Sequence, residues 1–350
     1  MFVKNLIGEK MSQPPSSYAE AGIDLHSESE ILKNINHYVR LSFSLGNVVS
    51  REGHYANLIK FGDFGLALTT DGVGSKVLVA QLANVYDTVG IDCVAMNVND
   101  LLAMGIMPAA FVDYLAVSKL EKEVITEIIK GVYAGCKEAG IPILGGELAT
   151  LPEIITGYEN SFDLAGTALG IVKLSDIVDG TKIAVDDIIL GIRSSGLHSN
   201  GYTLARKVLF SKYSINSNLP WGEKLSTELL KPTRIYVKAI KALLEETQVH
   251  GLAHITGSGF KKLHRLTNLG FDLEYFPPLL PIFEEIQQLG KISSHEMFST
   301  FNMGIGFIVI VPKSERDVAL DILNKYFETV ELGRISNESS IKIRKYDVKL

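Results

Sequence analysis

Cysteine is scarce in this sequence, with Cys93 and Cys136 alone among 350 residues. Two thiols are too few for a disulfide framework or a structural zinc site. Both lie in stretches whose apolar residues recur at helical spacing, which is typical of small thiols packed in a core. We therefore expect a reducing environment and a cytoplasmic protein.

Long hydrophobic runs are also missing. FIVIV at 307–311 has only the length of a strand, far below the roughly 18 residues that a membrane helix needs. The first 15 residues, MFVKNLIGEKMSQPP, lack the apolar core of a secretory signal. The sequence thus predicts neither a membrane span nor export.

Positive charge is not concentrated anywhere. The chain has no run of lysine and arginine, and its formal net charge is −6. Nucleic-acid binding needs a concentrated basic surface, so no nucleic-acid partner is expected. A phosphorylated small ligand stays compatible with this balance, because backbone N–H groups, one lysine and a divalent ion can hold it.

Two common catalytic motifs are absent as well. Neither GxxxxGK[ST] of phosphate loops nor GxSxG of the nucleophile elbow occurs, and DGVGSK at 71–76 lacks the phosphate-loop spacing. The eight histidines show no metal-ligand spacing. A serine hydrolase is therefore not expected.

What is present is an alternation of strand-like and helix-like segments, which favours mixed layers of α and β structure. Predicted strands cover 58–70, 111–117, 141–144, 162–172 and 301–311, and strands that run into loops lie in 188–196 and 251–259. Predicted helices cover 28–39, 87–105, 121–139, 200–213, 236–246 and 316–327. We expect two domains after a flexible lead-in, with bounds of 1–17, 18–172 and 173–350.

Four carboxylates stand beside glycine turns or inside apolar sequence: Asp71, Asp100, Glu147 and Asp163. An ionised carboxylate in such surroundings needs a partner, because its desolvation is costly. Acids that converge would suit Mg²⁺, which takes oxygen ligands and bridges nucleotide phosphates, and Lys76 would offer a charge to a phosphate. Each acid is equally well explained as a cap, a turn residue or half of a structural ion pair.

The segment SSGLHSNG at 194–201 places hydroxyls, an amide and an imidazole between a predicted strand and a predicted helix. Backbone N–H groups at a helix start make an anion site, and these side chains would orient a polar substrate. A capping turn rich in serine and asparagine explains the same residues. The loop HITGSG at 254–259 fits a tight turn as well as a phosphate contact, and Asn302 precedes a glycine-containing strand.

Nine segments occur in one order along the chain. They are SYAEAGID (17–24), TTDGVGSK (69–76), TVGIDCVAMNVNDLL (88–102), ILGGELATLP (143–152), FDLAGTALGIV (162–172), SSGLHSNGYTLARK (194–207), LLKPTRIYVKAI (229–240), GLAHITGSG (251–259) and MFSTFNMGIG (297–306). As a set they resemble the phosphoribosylformylglycinamidine cyclo-ligase family, also called aminoimidazole ribonucleotide synthetases. The resemblance spans nearly the whole chain, and SSGLHSNGY together with HITG and FNMGIG is far more specific than any single motif.

The resemblance implies an ATP-dependent ring closure in purine biosynthesis. ATP phosphorylates the formyl oxygen of formylglycinamidine ribonucleotide, and a nitrogen of the substrate then closes the imidazole ring with release of phosphate. It also implies an α+β and α/β fold in two domains, with an N-terminal mixed sheet that pairs with its twin in a homodimer barrel and a C-terminal α/β domain. ATP would lie between the halves, near the dimer interface.

The matching motifs imply roles for individual residues. The implied Mg²⁺ ligands are Asp71, Asp100, Glu147 and Asp163. The implied ATP contacts are Asp71, Gly72, Gly74, Lys76, Asp100, Gly145, Gly146 and Glu147. The implied substrate contacts are Ser194, Ser195, Gly196, His198, Ser199, Asn200, Thr256, Gly257 and Asn302. Catalysis would rest on His198, which polarises or transfers a proton, and on Lys76 at the phosphate.

Two segments depart from the family's pattern. GHY at 53–55 stands in place of a longer glycine-rich loop with a lysine just upstream, so Arg40 or Arg51 would replace that lysine. HITGSG carries Ser258 where the family's HITGGG has the middle of its three glycines. Thiamine-monophosphate kinases, selenophosphate synthetases and hydrogenase-maturation proteins share an ATP-binding half of this sort. The segments 194–204 and 301–306 match cyclo-ligases better than the kinases. Against the other two families, the sequence shows no reactive cysteine near its N-terminus or in its last residues, DVKL.

Overall fold

The structure, a computed structural model, describes residues 14–22, 25–49 and 57–350. The strands are β1 (Val48–Val49), β2 (Leu58–Phe61), β3 (Phe64–Gly72), β4 (Met107–Val117), β5 (Ile143–Thr150), β6 (Phe162–Lys173), β7 (Ile188–Arg193), β8 (Gly251–His254), β9 (Gly270–Leu273), β10 (Ile305–Val311), β11 (Thr329–Ser336), β12 (Ile341–Ile343) and β13 (Val348–Lys349). The α-helices are α1 (Leu25–Ser42), α2 (Val77–Ala83), α3 (Asp87–Leu102), α4 (Lys122–Ala139), α5 (Tyr202–Leu209), α6 (Leu225–Leu229), α7 (Val237–Glu246), α8 (Pro281–Gly290), α9 (Ser294–Thr300) and α10 (Arg316–Leu323). Most of the predicted lead-in 1–17, the GHY segment and Arg51 lie outside the described residues.

The strands form two sheets, one in each half of the chain. The first has the order β1-β2-β3-β6-β4-β5, and the second has the order β13-β12-β9-β11-β7-β10-β8. Strand neighbours are antiparallel except for the pairs β4·β5 and β9·β12. The predicted mixture of sheets and helices is confirmed, although the alternation of elements produced mainly antiparallel pairing. Antiparallel sheets tolerate one uncovered face, which matters for the first sheet.

Helices α3 and α4 cover the inner face of the first sheet. Their backbones approach closely at two glycines: a Cβ on Gly131 would lie 1.8 Å from the Asp87 carbonyl oxygen, and one on Gly90 would lie 2.3 Å from the Ile128 carbonyl oxygen. Helix α3 is buried along almost its whole length, including Cys93. It also contacts β8 and α7 of the other half, so it helps to join the two halves.

Several predicted strand bounds are wrong: the strand predicted at 141–144 is Ile143–Thr150, and the one predicted at 301–311 is Ile305–Val311. The segment 58–70 is a hairpin, since Gly62 has φ 61° and stands first in a two-residue loop between β2 and β3, a position that favours glycine. Strand β4 begins at Met107 and not at 111, with Pro108 inside it beside a register shift. Proline is tolerated at such irregularities, so it did not mark the boundary that the sequence indicated.

The outer face of the first sheet is apolar and uncovered. Alternating residues of its central strands point away from α3 and α4, and the register places on this face the exposed side chains of Ile59, Phe61, Phe64, Leu68, Val112, Tyr114 and Ile171. Helix α1 separately exposes Ile31, Leu32, Ile35 and Val39 at helical spacing. Apolar patches of this extent mark interaction surfaces.

The second sheet has a buried centre, because every residue of β7 and of β10 is buried. Strands β7 and β8 both run antiparallel to β10, with Arg193 opposite Ile305 and His254 opposite Phe307. The ends of β7 and β8 and the start of β10 therefore share one edge of the sheet. Within the described part of the chain, no helix combines the length and the apolarity needed to cross a membrane.

Candidate functional site

Three loops meet at that edge of the second sheet. They are 194–201 after β7, 255–259 after β8 and 301–304 before β10. The Ser194 backbone N–H donates to the Gly304 carbonyl at 2.9 Å, and a Cβ on Gly257 would lie 3.0 Å from Asn200 Oδ1. The structure thus brings together three motifs that are more than 40 residues apart along the chain.

Ser194 and Asn302 hold the 194–201 loop from within the protein. The Ser194 hydroxyl donates to the Gly196 carbonyl at 2.9 Å and lies 3.1 Å from Asn302 Oδ1. The Asn302 amide donates to the same carbonyl at 3.0 Å. Both side chains are buried, so in this structure they shape the loop, and their predicted contact with substrate stays a prediction.

His198 stands at the turn of this loop. It has φ 63°, its ring is buried, and Nε2 accepts the Ser195 backbone N–H at 3.2 Å. Burial, together with the charges of His254 and Lys76, lowers the pKa of His198 well below its ordinary value, so the ring is neutral at physiological pH. A neutral ring that accepts at Nε2 carries its proton on Nδ1. That Nδ1 is buried without a hydrogen-bond partner among the described residues.

Gly306 makes room for this imidazole. A Cβ built there would lie 2.5 Å from His198 Cε1 and 2.1 Å from Tyr236 Oη. The Tyr236 hydroxyl is itself engaged, since it donates to the Arg193 carbonyl at 3.1 Å. The glycine in FNMGIG therefore has a packing reason that sequence reasoning did not identify.

Asp100 and Asp71 lie at the junction of the two halves. Asp100 Oδ1 accepts from His254 Nδ1 at 2.9 Å. Burial opposes ionisation of Asp100, but the hydrogen bond from His254 and the charge of Lys262 keep its pKa lowered. Burial and the Asp100 charge raise the pKa of Asp71 to about 6. The charges of the first two predicted acids therefore act on each other, and this repulsion together with burial makes Asp71 costly to ionise.

Lys262 and Arg265 bring positive charge to these acids, and sequence reasoning missed both. They lie on the 3₁₀ turn Gly259–Arg265. Lys262 Nζ donates to Thr256 Oγ1, and its charge acts on Asp71 and Asp100. Three basic residues within KKLHR (261–265), directly after HITGSG, were the available signal. Arg40, which the sequence offered for this purpose, lies in the exposed last turn of α1.

Asp71 and Asp100 suit a hard divalent cation. Without one, burial and mutual repulsion disfavour the ionised form of Asp71. Mg²⁺ is commonly held by one or two carboxylates together with substrate phosphates. Across the ranges that the structure describes, no group of three or more His, Cys, Asp or Glu side chains would hold a metal by itself. These residues fit a cation shared with a nucleotide phosphate.

Glu147 and Asp163 do not join this pair within one chain. Asp71 pairs with Gly166 between β3 and β6, and a Cβ on Gly166 would meet a side chain of α3. The row of residues that lie in register with Asp71 across the sheet therefore faces the helices. Side chains alternate along a strand, and Gly146 belongs to the same row through β4. Glu147 and Asp163 therefore point to the open outer face, and as metal ligands they stay predictions.

The predicted glycines differ in what surrounds them. The Gly72 backbone N–H donates to Asp71 Oδ1 at 2.8 Å. Gly74 and Gly145 have open space where a Cβ would be, at φ 71° and φ 151°, whereas one on Gly146 would lie 2.5 Å from an Asp113 oxygen. Open backbone of this kind allows a ligand to approach closely. Contacts with ATP stay predictions for all four.

The remaining polar residues of the loops are partly engaged. The Ser195 hydroxyl donates to the Pro232 carbonyl at 2.6 Å, and Ser199 Oγ is buried without a hydrogen-bond partner among the described residues. Ser258 has φ 70° and is exposed. It thus takes a left-handed backbone that favours glycine, at the position of the middle glycine of the family's HITGGG, and its side chain is exposed.

Lys76 is placed differently from its predicted role at a phosphate. Its side chain is fully buried, and Nζ lies 2.6 Å from Asp92 Oδ2, 3.0 Å from the His198 carbonyl oxygen and 2.7 Å from the Lys231 carbonyl oxygen. An ammonium group has three N–H donors. Three oxygens already surround it, so the structure leaves no donor for a phosphate.

Asp71→Asn is expected to stabilise the metal-free protein at high pH. The pKa of Asp71 is about 6 when folded and about 3.9 when unfolded, so its ionisation destabilises the fold above pH 6 and costs nothing below pH 4. The free energy of unfolding should rise by about 1–3 kcal/mol at pH 8 and stay unchanged near pH 4. Urea unfolding in EDTA measures both. Exposed Asp321→Asn is the control, and equal stability of Asp71→Asn and parent at pH 8 would refute the expectation.

Known proteins resemble the chain in both sequence and fold. Residues 53–172 match the N-terminal domain of AIR synthase related proteins, and residues 184–345 match their C-terminal domain. The phosphoribosylformylglycinamidine cyclo-ligase of Thermococcus gammatolerans is 50% identical over 339 residues, which cover 95% of this chain and 99% of that protein. The phosphoribosylformylglycinamidine cyclo-ligase of Pyrococcus horikoshii is 51% identical over 339 residues, which again cover 95% of this chain and 99% of that protein.

Solved structures share the fold at low identity. Thiamine monophosphate kinase from Aquifex aeolicus matches with a TM-score of 0.62 and 15% identity, over 93% of this chain and 99% of that one. E. coli HypE, a hydrogenase maturation protein, matches with a TM-score of 0.60 and 16% identity, over 81% and 84%. These likenesses concern the fold alone.

Fold and site together define an ATP-using enzyme built from the two AIR synthase related domains. Within that class, the nine ordered segments and the relatives named above indicate the same family. The chain belongs to the phosphoribosylformylglycinamidine cyclo-ligase family. The resemblance inferred from the sequence is confirmed.

Proposed function

We propose that the chain converts formylglycinamidine ribonucleotide and ATP into aminoimidazole ribonucleotide, ADP and phosphate. The observation that carries the proposal is the meeting of two groups of residues at the junction of the halves. One is the acidic pair of Asp71 and Asp100 with the basic Lys262. The other is the loop that presents an unpartnered Nδ1–H of His198. A phosphoryl transfer followed by ring closure needs both charge neutralisation and an oriented donor.

The acidic pair would hold Mg²⁺, which neutralises and orients the ATP phosphates when it is bound. Lys262 and Arg265 lie where they would compensate the charge of the phosphoryl group. They would take the role of the family's upstream lysine, whose counterpart the sequence does not identify. ATP-derived phosphate on the formyl oxygen then becomes the leaving group.

His198 acts on the second half of the reaction. Its Nδ1–H would donate to the formyl oxygen and polarise the carbon that the substrate nitrogen attacks. The new C–N bond forms as the C–O bond to the phosphate breaks, and the proton of the attacking nitrogen passes to the released phosphate. Because the substrate supplies its own nucleophile, the protein needs to orient and neutralise and needs no covalent intermediate.

The direct test mixes purified protein, Mg-ATP and formylglycinamidine ribonucleotide and assays aminoimidazole ribonucleotide together with ADP. We expect the two products in equal amounts. The alternative is a small-molecule kinase, which the shared fold of thiamine monophosphate kinase brings into consideration. ADP formation with phosphate left on an acceptor, and without the imidazole product, would favour that alternative.

We also propose a homodimer in which the outer faces of two first sheets pair as a barrel. The exposed apolar side chains of that face support it, since water contact with so many is unfavourable. Glu147 and Asp163 lie on the same face, so pairing would bring them to the interface. Buried thiols of Cys93 and Cys136 are compatible with a cytoplasmic location.

Leu68→Glu is expected to convert the dimer into a monomer. Leu68 is 65% exposed on the outer face, and two charges facing each other in an apolar interface are costly to bury. Light scattering should give about twice the chain mass of 38.3 kDa for the parent and that mass for the variant. Leu120→Glu is the control, because Leu120 is 63% exposed but outside the sheet face. A parent protein that scatters as a monomer would contradict the proposal.

A further inference from the structure

We propose that Lys76 and Asp92 form an internal clamp that positions the His198 turn, and that Lys76 acts through His198 and does not touch ATP. Lys76 is thus a positioning residue. The inference rests on the proposed function for what His198 does, while the clamp itself is a feature of the fold.

The clamp is fully buried and spans both halves. The side chains of Lys76 and Asp92 are each 0% exposed, and their charged atoms are 2.6 Å apart. Asp92 Oδ1 accepts from the Thr233 backbone N–H at 2.7 Å and from its hydroxyl at 2.6 Å. Lys76 and Asp92 belong to the first half of the chain, and Thr233 belongs to the second. A buried pair of this kind persists when geometry and further hydrogen bonds compensate the desolvation of both charges.

Lys76 links the clamp to the His198 turn. Its ammonium donates to the His198 carbonyl at 3.0 Å. A non-glycine residue at φ 63° is strained and keeps that conformation only where its surroundings hold it. Two anchors do so, namely Lys76 at the carbonyl and the Ser195 N–H at the ring. The direction of Nδ1–H therefore depends on Lys76.

The segment 231–236 has a second attachment that does not involve Lys76. The Asn99 amide donates to the Arg234 carbonyl at 2.8 Å, and Asn99 Oδ1 accepts the Tyr236 backbone N–H at 3.1 Å. Asn99 and Asp92 both lie on α3. If Lys76 is removed, Asn99 still joins the two halves at this segment, and the losses are the bonds to the Lys231 carbonyl and to the His198 carbonyl, of which the second anchors the turn. The clamp thereby couples the helix that carries Asp100 to the loop that carries His198.

Steady-state kinetics on three variants test the clamp: Lys76→Met, Asp92→Asn and the double variant. We expect kcat to fall about 100-fold in each, because a small displacement of a reacting group has an effect of that size. The KM for ATP should stay within about threefold of the parent value. The double variant should be no worse than the single ones, because the pair acts as one unit. It also leaves no unpaired buried charge, so it serves if a single variant fails to fold.

Lys207→Met is the matched control. Lys207 Nζ also donates to a backbone carbonyl, that of Ala21, at 2.7 Å. It does not contact the His198 turn through that bond, so kcat should stay at the parent value. A selective rise in the KM for ATP in Lys76→Met, without one in Asp92→Asn, would overturn the proposal and place Lys76 at the phosphate. Parent-like kcat in the double variant would overturn it as well.

A measurement without turnover separates the clamp from the proposed function. Histidine-selective ¹⁵N labelling reports the tautomer of His198, assigned with His198→Asn. The parent should show the pattern of a fixed Nδ1–H ring, and Lys76→Met should show an averaged pattern. An unchanged pattern would refute the clamp whatever the enzyme catalyses. A changed pattern in a protein that makes no aminoimidazole ribonucleotide would refute the proposed function alone.

Discussion

Replacing Asp71 or Asp100 by asparagine is expected to lower kcat for ring closure on the order of 1000-fold while the protein stays folded. Both side chains would hold the cation that neutralises the ATP phosphates, and an amide keeps their size without the charge. The measurement is aminoimidazole ribonucleotide formation at saturating Mg-ATP, with circular dichroism to verify the fold. Parent-like rates in both variants would show that these acids are structural.

The two variants should differ in stability, which sharpens the test. Asp71→Asn removes a carboxylate whose pKa is raised to about 6 and should stabilise the metal-free protein above that pH. Asp100→Asn removes a carboxylate whose pKa is lowered by the hydrogen bond from His254 against the effect of burial. It should be destabilising at neutral pH, since the folded state prefers the charge. Loss of activity with opposite changes in stability cannot be explained by unfolding.

His198→Asn is expected to lower kcat about 100- to 1000-fold, with little change in the KM for ATP. Asparagine tolerates the left-handed backbone at φ 63°, so the turn should persist while the imidazole is lost. Ring closure would then lack the donor that polarises the formyl carbon.

His250→Asn is the control for that variant. His250 Nδ1 lies 2.8 Å from Asp187 Oδ2, and its side chain is partly buried. It precedes β8, at the end of the strand away from the loop 255–259. Its loss should leave kcat at the parent value. Equal losses in both variants would assign the effect to general destabilisation.

Local sequence patterns predicted much of the secondary structure. Apolar residues at helical spacing predicted α3 and α4, and the structure places Ile128, Val132 and Cys136 of α4 in the core. The long strands β6 and β10 were predicted as well, since their alternation or continuous apolarity is local. The predicted strand bounds near Pro108 and Gly62 were wrong, because proline or glycine can mark a bulge, a hairpin or a helix end.

The site was predicted in part. Asp71 and Asp100 were singled out for their apolar surroundings, and the structure brings them together at the junction. Lys262 was missed, because the sequence does not show that this basic turn lies near Asp71 and Asp100, which belong to the other half of the chain. Lys76 was assigned to a phosphate on the strength of its neighbouring glycines, and burial among three oxygens places it elsewhere.

By itself the sequence determined the family and the kind of reaction, because the identity and order of its motifs are preserved in one dimension. It also indicated many of the helices and strands, because periodicity is local, although β9, β11, α8 and α9 were not predicted. Only the tertiary structure decided which face of the first sheet each acid occupies. A shift of one residue in strand register moves a side chain to the opposite face of the sheet. The register itself is set by pairing between strands that are far apart in the chain. The fold likewise decided that Lys76 is internal and Lys262 lies at the acids, since burial and charge partners come from residues far apart in the chain.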